Sequence, residues 1–178
     1  MKSKDQQLLE EAYGRVVESL SSPFEYVRNR SIEDDDEEVY EFYPDPEDSY
    51  RPSEEQQGSH YKVLLAYDED PYPGVTITFT YHRPGDAKGT HAMTNTGDAF
   101  RVMATVKEIV LEYINRHWGK LDKITFSGKA DERGRVTLYK RLAQMLTDYL
   151  GNDWELSNST SAQGGVSGEV FTIEKQYR

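Results

Sequence analysis

A glycine next to a predicted helix start is the first feature of the chain that could do chemistry. It lies in the run Thr96-Gly97-Asp98-Ala99-Phe100-Arg101. Backbone N–H groups at a helix N-terminus bind phosphate, and glycine lets a ligand approach the backbone closely. The guanidinium groups of Arg101 and of Arg135, further along the chain, would pair with phosphate oxygens. A second interpretation fits the same residues: Asp98 caps the helix, and the arginines lie on a solvated face.

The four histidines do not show the spacing of a metal site. They are His60, His82, His91 and His117, and they form no HExxH or similar pattern. The chain also lacks cysteine, which excludes disulfides, thiolate ligands and a cysteine nucleophile. We therefore predict no metal. His82 and His91 flank a predicted hairpin and could approach each other across it.

Hydrophobic periodicity predicts the elements that must position these residues. Val75, Ile77, Phe79 and Tyr81 alternate with polar residues, which is the pattern of a half-buried strand. Apolar residues at helical spacing predict three helices, and glycines follow the last two of them. The predicted elements are a helix at 5–20, strands at 39–43, 61–68, 74–82 and 89–95, a helix at 98–118, a strand at 123–127, a helix at 131–150, and strands at 153–157 and 169–176 joined by a Ser/Gly-rich loop at 158–168.

This order predicts an α+β fold. We expect a mixed, mostly antiparallel central sheet flanked by helices on both faces, with an amphipathic helix at the N-terminus. We divide the chain into an N-terminal helix and lead-in at 1–32, an acidic, proline-containing segment with a short strand at 33–59, and an α+β domain at 60–178.

The charge of the chain is concentrated in one segment. The formal net charge is −11, and residues 33–57 contain twelve carboxylates against one arginine. Such acidity opposes direct nucleic-acid binding. The segment could be a solvated linker, a mimic of nucleic-acid phosphates, or, like the N-terminal helix, a surface for a protein partner. With no long apolar run and no signal-like N-terminus, we expect no membrane contact and a cytoplasmic location.

The order of elements over 60–178 resembles the GNAT superfamily of acyl-CoA-dependent N-acetyltransferases. In that family a three-strand meander leads into a helix whose N-terminus holds the cofactor pyrophosphate, and a strand and a second helix follow. Thr96–Arg101 falls where the family has its pyrophosphate loop, and Arg135–Tyr139 looks like the segment that carries a tyrosine near the thioester. The resemblance implies acetyl-CoA as cofactor. It implies cofactor contacts at Thr96, Gly97, Ala99, Phe100, Arg101 and Arg135, and catalytic roles for Tyr139 as acid and for His82 or His91 as base.

A second resemblance concerns the local amino-acid sequence rather than the order of elements. The stretches 96–106 and 125–142 are similar to uncharacterised proteins of tailed bacteriophages, which implies a phage origin and a location in the host cytoplasm or the virion. Two functions follow as hypotheses. The chain is a GNAT-like N-acyltransferase with an unknown acceptor, or it is a catalytically inactive GNAT-like protein that binds another protein, as a virion component or an inhibitor of a host system.

Overall fold

A seven-stranded mixed sheet forms the centre of the protein in the computed structural model, which describes residues 22–30, 36–45, 58–69, 71–85, 99–129, 133–163 and 166–177. The strand order is β1-β2-β3-β4-β5-β7-β6. In chain order the elements are β1 (Tyr26–Arg30), β2 (Glu37–Phe42), β3 (His60–Asp68), β4 (Gly74–His82), α1 (Ala99–Arg116), β5 (Lys123–Lys129), α2 (Arg133–Leu150), β6 (Trp154–Gln163) and β7 (Val166–Lys175).

Antiparallel pairing dominates the sheet, as the sequence predicts. β4 and β5 pair in parallel, and every other neighbouring pair is antiparallel. The alternation in β4 explains its place near the centre: Val75, Ile77 and Phe79 are buried, whereas Thr76 between them is exposed. The two-residue period thus directs one face of the strand into the core.

The two described helices pack on the same face of the sheet, whereas the sequence analysis expected helices on both faces. Directly paired residues share a face, and the register links Leu65 to Ile77 and Ile77 to Phe126. On that face Tyr139 of α2 lies beside Phe126, with ring centroids 6.3 Å apart. Glu38 of β2, paired with Leu65, receives hydrogen bonds from α1. On the opposite face, the described central strands offer mostly threonine and charged side chains, such as Thr76, Thr78 and Lys62.

The core lies between this face and the two helices. It is a single cluster of buried apolar side chains, to which strands and helices contribute alike. Its largest fully buried members are Tyr40, Tyr61, Phe42, Phe126, Phe171, Leu65, Ile109, Ile114, Ile124, Leu142, Leu146 and Ile173.

The two helices end where the sequence places their stop signals. Gly151 follows α2 directly with a φ of 93°, and Gly119 lies three residues after α1 with a φ of 84°. Residues with a side chain rarely adopt this left-handed conformation, so glycine ends a helix at low cost. No helix in the described part of the chain is long and apolar enough to cross a membrane.

Two further differences separate the structure from the sequence prediction. β1 was not predicted, and it extends the sheet beyond β2. The predicted loop at 158–168 is largely strand, because β6 and β7 pair from Trp154–Lys175 to Gln163–Val166. Ser157, Asn158 and Ser159 of β6 are exposed on an edge strand, where polar residues need not bury a side chain. The predicted helix at 5–20 and strand at 89–95 lie outside the described residues.

Candidate functional site at an opening in the sheet

The two central parallel strands separate part of the way along their length. β4 and β5 share four residue pairs, from Gly74–Lys123 to Ile77–Phe126. Beyond that point β4 stays paired with β3 as far as His82, and β5 stays paired with β7 as far as Lys129. Beyond Ile77 and Phe126, no described residues of β4 and β5 pair with each other. We call this gap, between 78–82 of β4 and 127–129 of β5, the β4–β5 opening.

The closed end of the strand pair is packed tightly. A Cβ atom added to Gly74 would lie 3.2 Å from both the Cβ atom and the carbonyl oxygen of Lys123. Glycine therefore lets β4 approach β5 closely at their first shared pair. β4 and β5 are therefore close together at Gly74 and separate towards the other end of the pair.

A row of aromatic rings places the N-terminal end of α1 at the open end of the sheet. The Arg101 guanidinium, in the first turn of α1, lies 3.9 Å from the ring centroid of Phe24. Phe24 stacks on Phe42 at 5.9 Å, and Phe42 stacks on Tyr61 at 5.1 Å. Tyr61 in turn stacks at 5.2 Å on Phe79, which belongs to the part of β4 that has left β5. The first turn of α1 and the β4–β5 opening thus share one end of the sheet.

Arg101 already has partners at that end. Its Nε donates to the carbonyl oxygen of Ser22 at 2.9 Å, in addition to the contact with Phe24. Thr105, one turn further, accepts from the Phe24 amide at 2.8 Å and donates to the Arg101 carbonyl oxygen at 2.9 Å. These bonds fasten the segment before β1 to α1, so Arg101 supports the fold at this point.

Tyr139 lies at the base of the opening. Its side chain is 4% exposed and packs beside Phe126, the last β5 residue that pairs with β4. The helical spacing that puts Tyr139 on the apolar side of α2 directs it onto the sheet. A phenol donor at this point can serve a reaction that takes place in the opening.

His82 lies at the far end of β4 and on the opposite face. It is five residues beyond Ile77, which corresponds to about 17 Å along a strand. Its Nε2 lies 2.9 Å from the Thr80 hydroxyl, and its ring stacks at 5.0 Å on His60. The structure therefore does not bring His82 and Tyr139 together. The sequence analysis missed His60 as its neighbour, although counting outward from the β3–β4 turn pairs the two residues.

The remaining predicted site residues divide into two groups. Ala99 and Phe100 are the first residues of α1 and are half-buried. Arg135 belongs to the first turn of α2, one turn before Tyr139, and its side chain lies outside the described part. Thr96, Gly97 and His91 also lie outside the described residues.

A charge network holds the second half of α1 on the sheet. Arg116 binds Glu38 through two hydrogen bonds, of 2.9 and 2.6 Å, and Arg28 binds the same carboxylate at 2.6 Å. Tyr40 donates to Glu38 at 2.9 Å and also contacts Arg116. Burial alone would raise the pKa of Glu38, but the bonds from Arg116 and Tyr40 outweigh it and hold the pKa at about 2. The network fixes the axis of α1, and hence the position of its N-terminus.

Burial also changes the acidity of the phenols in and around this network. It raises the pKa of Tyr113 to about 12, with a contribution from the Glu38 carboxylate. Burial and a hydrogen bond to Glu38 raise the pKa of Tyr40 well above its usual value, and burial with Glu112 does the same for Tyr26. These phenols therefore remain protonated donors at neutral pH.

Comparison with solved structures finds N-acetyltransferases among the proteins that this chain resembles. No family model matches the chain, and no curated protein sequence does so either. A mutant of the spermidine N-acetyltransferase SpeG from Vibrio cholerae matches with 10% identity and a TM-score of 0.37, over 98% of this chain and 76% of that one. NAA60 of Arabidopsis thaliana, in complex with a bisubstrate analogue, matches with 12% identity and a TM-score of 0.36, over 81% and 78%. At TM-scores below 0.5 these matches carry no argument about the function of this chain.

Proposed function

We propose that the protein is a GNAT-like N-acyltransferase that takes its acyl group from acyl-CoA, with acetyl-CoA as the expected donor. The observation that carries this proposal is the β4–β5 opening, which lies at the same end of the sheet as the first turn of α1. An extended thioester arm would lie between the two strands where β4 and β5 no longer pair with each other, and it would bind there by adding hydrogen bonds along a strand. The phosphates would then reach the N-terminal end of the helix.

The order of elements supports the same proposal. The antiparallel strands β2, β3 and β4 form a meander that leads into α1. A parallel strand, a second helix and a C-terminal hairpin follow. This is the order of meander, helix, strand and helix that the resemblance to the GNAT superfamily implies.

The described residues fit an acyl-CoA ligand in part. Tyr139 is buried at the base of the opening, where a phenol could reach a thioester. Arg101 fits less well, because its guanidinium is bonded to the Ser22 carbonyl and stacked on Phe24. Arg135, in the first turn of α2, is the better candidate for a phosphate contact.

The reaction would need one proton donor and one proton acceptor. Bound acyl-CoA would supply a thioester, whose carbonyl carbon bonds to the acceptor amine as its carbon–sulfur bond breaks. The hydroxyl of Tyr139 would donate its proton to the departing sulfur. The proton that the amine gives up would pass to solvent water, because His82 lies about 17 Å along β4 from the base of the opening and on the opposite face of the sheet. That proton returns through solvent to the phenolate of Tyr139, which restores the starting state.

Calorimetry with acetyl-CoA tests the proposal. We expect saturable binding, which Arg135→Gln weakens by about 10- to 100-fold through the loss of a charge-assisted bond to phosphate. Arg141→Gln is the matched control, because it removes the same charge from an exposed position of the same helix. The proposal is wrong if acetyl-CoA at millimolar concentration produces no heat of binding, or if the two variants weaken binding equally.

A second candidate function is supported by the contacts of Arg101. Arg101 was predicted to bind phosphate, but it is bonded to Ser22 and stacked on Phe24. This favours a protein that has a GNAT-like fold, is not catalytic and acts by binding another protein. The sequence resemblance to tailed-phage proteins suggests a virion component or an inhibitor of a host system. Capture of one defined partner from virions or host lysate, by a protein that does not bind acetyl-CoA, would favour this function. Measured turnover of acetyl-CoA with an amine would exclude it.

A further inference from the structure

We propose that a pocket at the C-terminal ends of α1 and α2 binds a small organic ammonium ion. The pocket has a volume of about 230 Å³ and is lined by residues that include Trp118, Trp154, His117, Asp153 and Lys175. It lies at the closed end of the β4–β5 pair, next to Ile124, and is therefore separate from the β4–β5 opening. Its occupant is independent of the proposed acyl transfer.

Aromatic surface is the first feature that points to a cation. The chain contains two tryptophans, and both line this pocket. Trp118 is 61% exposed, which is high for so large an apolar side chain, and Trp154 packs in part against the core. Indole faces attract ammonium ions more strongly than other aromatic side chains do. A cation bound between them would cover the exposed face of Trp118.

The electrostatic surroundings are the second feature. α1 ends at Arg116 and α2 ends at Leu150, so the C-terminal ends of both helices adjoin the pocket. Each helix end carries a partial negative charge of about half an electron. Asp153 adds a full negative charge from an exposed position. Lys175 in the lining carries a full positive charge that offsets Asp153, so the partial charges of the two helix ends leave the balance negative and favour a cationic occupant.

The other two titratable residues of the lining are compatible with a cation. The Nζ atom of Lys175 is held 5.6 Å above the ring of Tyr177, so this ammonium has an aromatic partner outside the lining. The Nδ1 atom of His117 lies 3.0 Å from the Tyr113 carbonyl oxygen, to which it must donate. In the neutral ring the proton therefore sits on Nδ1, and Nε2 can accept a hydrogen bond from a ligand.

The size of the pocket limits the ligand. At about 30 Å³ per water molecule, its volume of about 230 Å³ corresponds to about eight waters. A small ammonium ion with a similar number of non-hydrogen atoms fits this space. We therefore assign to this pocket methylated or protonated amines of small size.

Tryptophan fluorescence tests the inference on the full-length protein, because both tryptophans of the chain line the pocket. Choline is the probe, and 3,3-dimethylbutanol is its neutral analogue of the same shape. We expect choline to change the fluorescence in a saturable manner and the neutral analogue to bind at least about tenfold more weakly. The inference is refuted if choline gives no saturable change, or if the two compounds bind equally well.

Two variants locate the binding site. Asp153→Asn should weaken choline binding by about three- to tenfold, because it removes the full negative charge of the lining. Asp148→Asn is the matched control: it removes the same charge from an exposed position of α2 that does not line the pocket. Trp118→Leu should reduce the affinity by about tenfold, measured by calorimetry, and circular dichroism checks that it is folded. An equal effect of the two aspartate variants, or unchanged binding in Trp118→Leu, would show that the cation binds elsewhere.

Discussion

Replacing Glu38 by Gln should destabilise the protein at neutral pH and remove part of its sensitivity to acid. Glu38 is 9% exposed and is bonded to Arg28, Arg116 and Tyr40. Glutamine keeps the shape of the side chain but removes the charge that both arginines bind. The substitution therefore tests whether the ion network, rather than packing, holds α1 on the sheet.

The magnitude follows from the pKa of Glu38, which is held at about 2 instead of 4.5. Each pKa unit corresponds to about 1.4 kcal/mol, so the ionised carboxylate contributes at most about 3 kcal/mol to the free energy of unfolding. Because the pKa is lower in the folded state, this contribution is fully present above about pH 4.5. It is lost as the pH falls from 4.5 towards 2 and the folded protein takes up the proton.

Urea unfolding at a series of pH values measures the effect. At pH 7 we expect Glu38→Gln to lower the free energy of unfolding by about 1–3 kcal/mol, and the difference from the wild type to shrink below pH 4.5. Glu155→Gln, at an exposed position of β6, is the control and should change stability by less than about 0.5 kcal/mol. A Glu38→Gln protein with wild-type stability at pH 7, or a difference that does not depend on pH, would refute this reasoning.

Three further predictions concern the site and its supports. Thr105→Val should lower the free energy of unfolding by about 1–3 kcal/mol and speed hydrogen exchange at the Phe24 amide, because that buried donor loses its acceptor. Thr147→Val is the control: it loses a hydroxyl that is bonded within its own helix, and it should leave exchange at Phe24 unchanged. Tyr139→Phe should lower kcat by about 100-fold or more with little change in the affinity for acetyl-CoA, and an equal kcat would remove Tyr139 from the mechanism. Gly151→Ala should lower the free energy of unfolding by about 1 kcal/mol in a urea titration, because its φ of 93° is unfavourable for alanine, and an unchanged midpoint would contradict this account of the helix end.

The sequence predicted the central elements of the fold because their patterns are local. The alternation of Val75, Ile77 and Phe79 indicates a half-buried strand, and glycines mark the ends of both helices. It did not predict β1, because Tyr26–Arg30 carries few apolar residues and belongs to the sheet through its pairing with β2. Nor did it show that both helices share a face, since that depends on the pairing of distant strands.

The site was only partly predictable for a related reason. Helical spacing identified Tyr139 as a side chain that α2 turns towards the sheet, where it lies beside Phe126. The separation of β4 from β5 after Ile77 depends on non-local pairing, and nothing in either strand's own pattern marks it. The contacts of Arg101 could not be predicted either, because Ser22 and Phe24 are about 80 residues away along the chain.

Amide hydrogen exchange at the β4–β5 opening, with and without acetyl-CoA, tests the central claim most directly. Alternate amides of β4 beyond Ile77 point away from β3 and towards the opening, where β5 no longer pairs with them. We predict that acetyl-CoA slows exchange at these amides and at the N-terminal turn of α1, and leaves the β6–β7 hairpin unchanged. Exchange at β4 and α1 that is the same with and without the ligand would contradict the account.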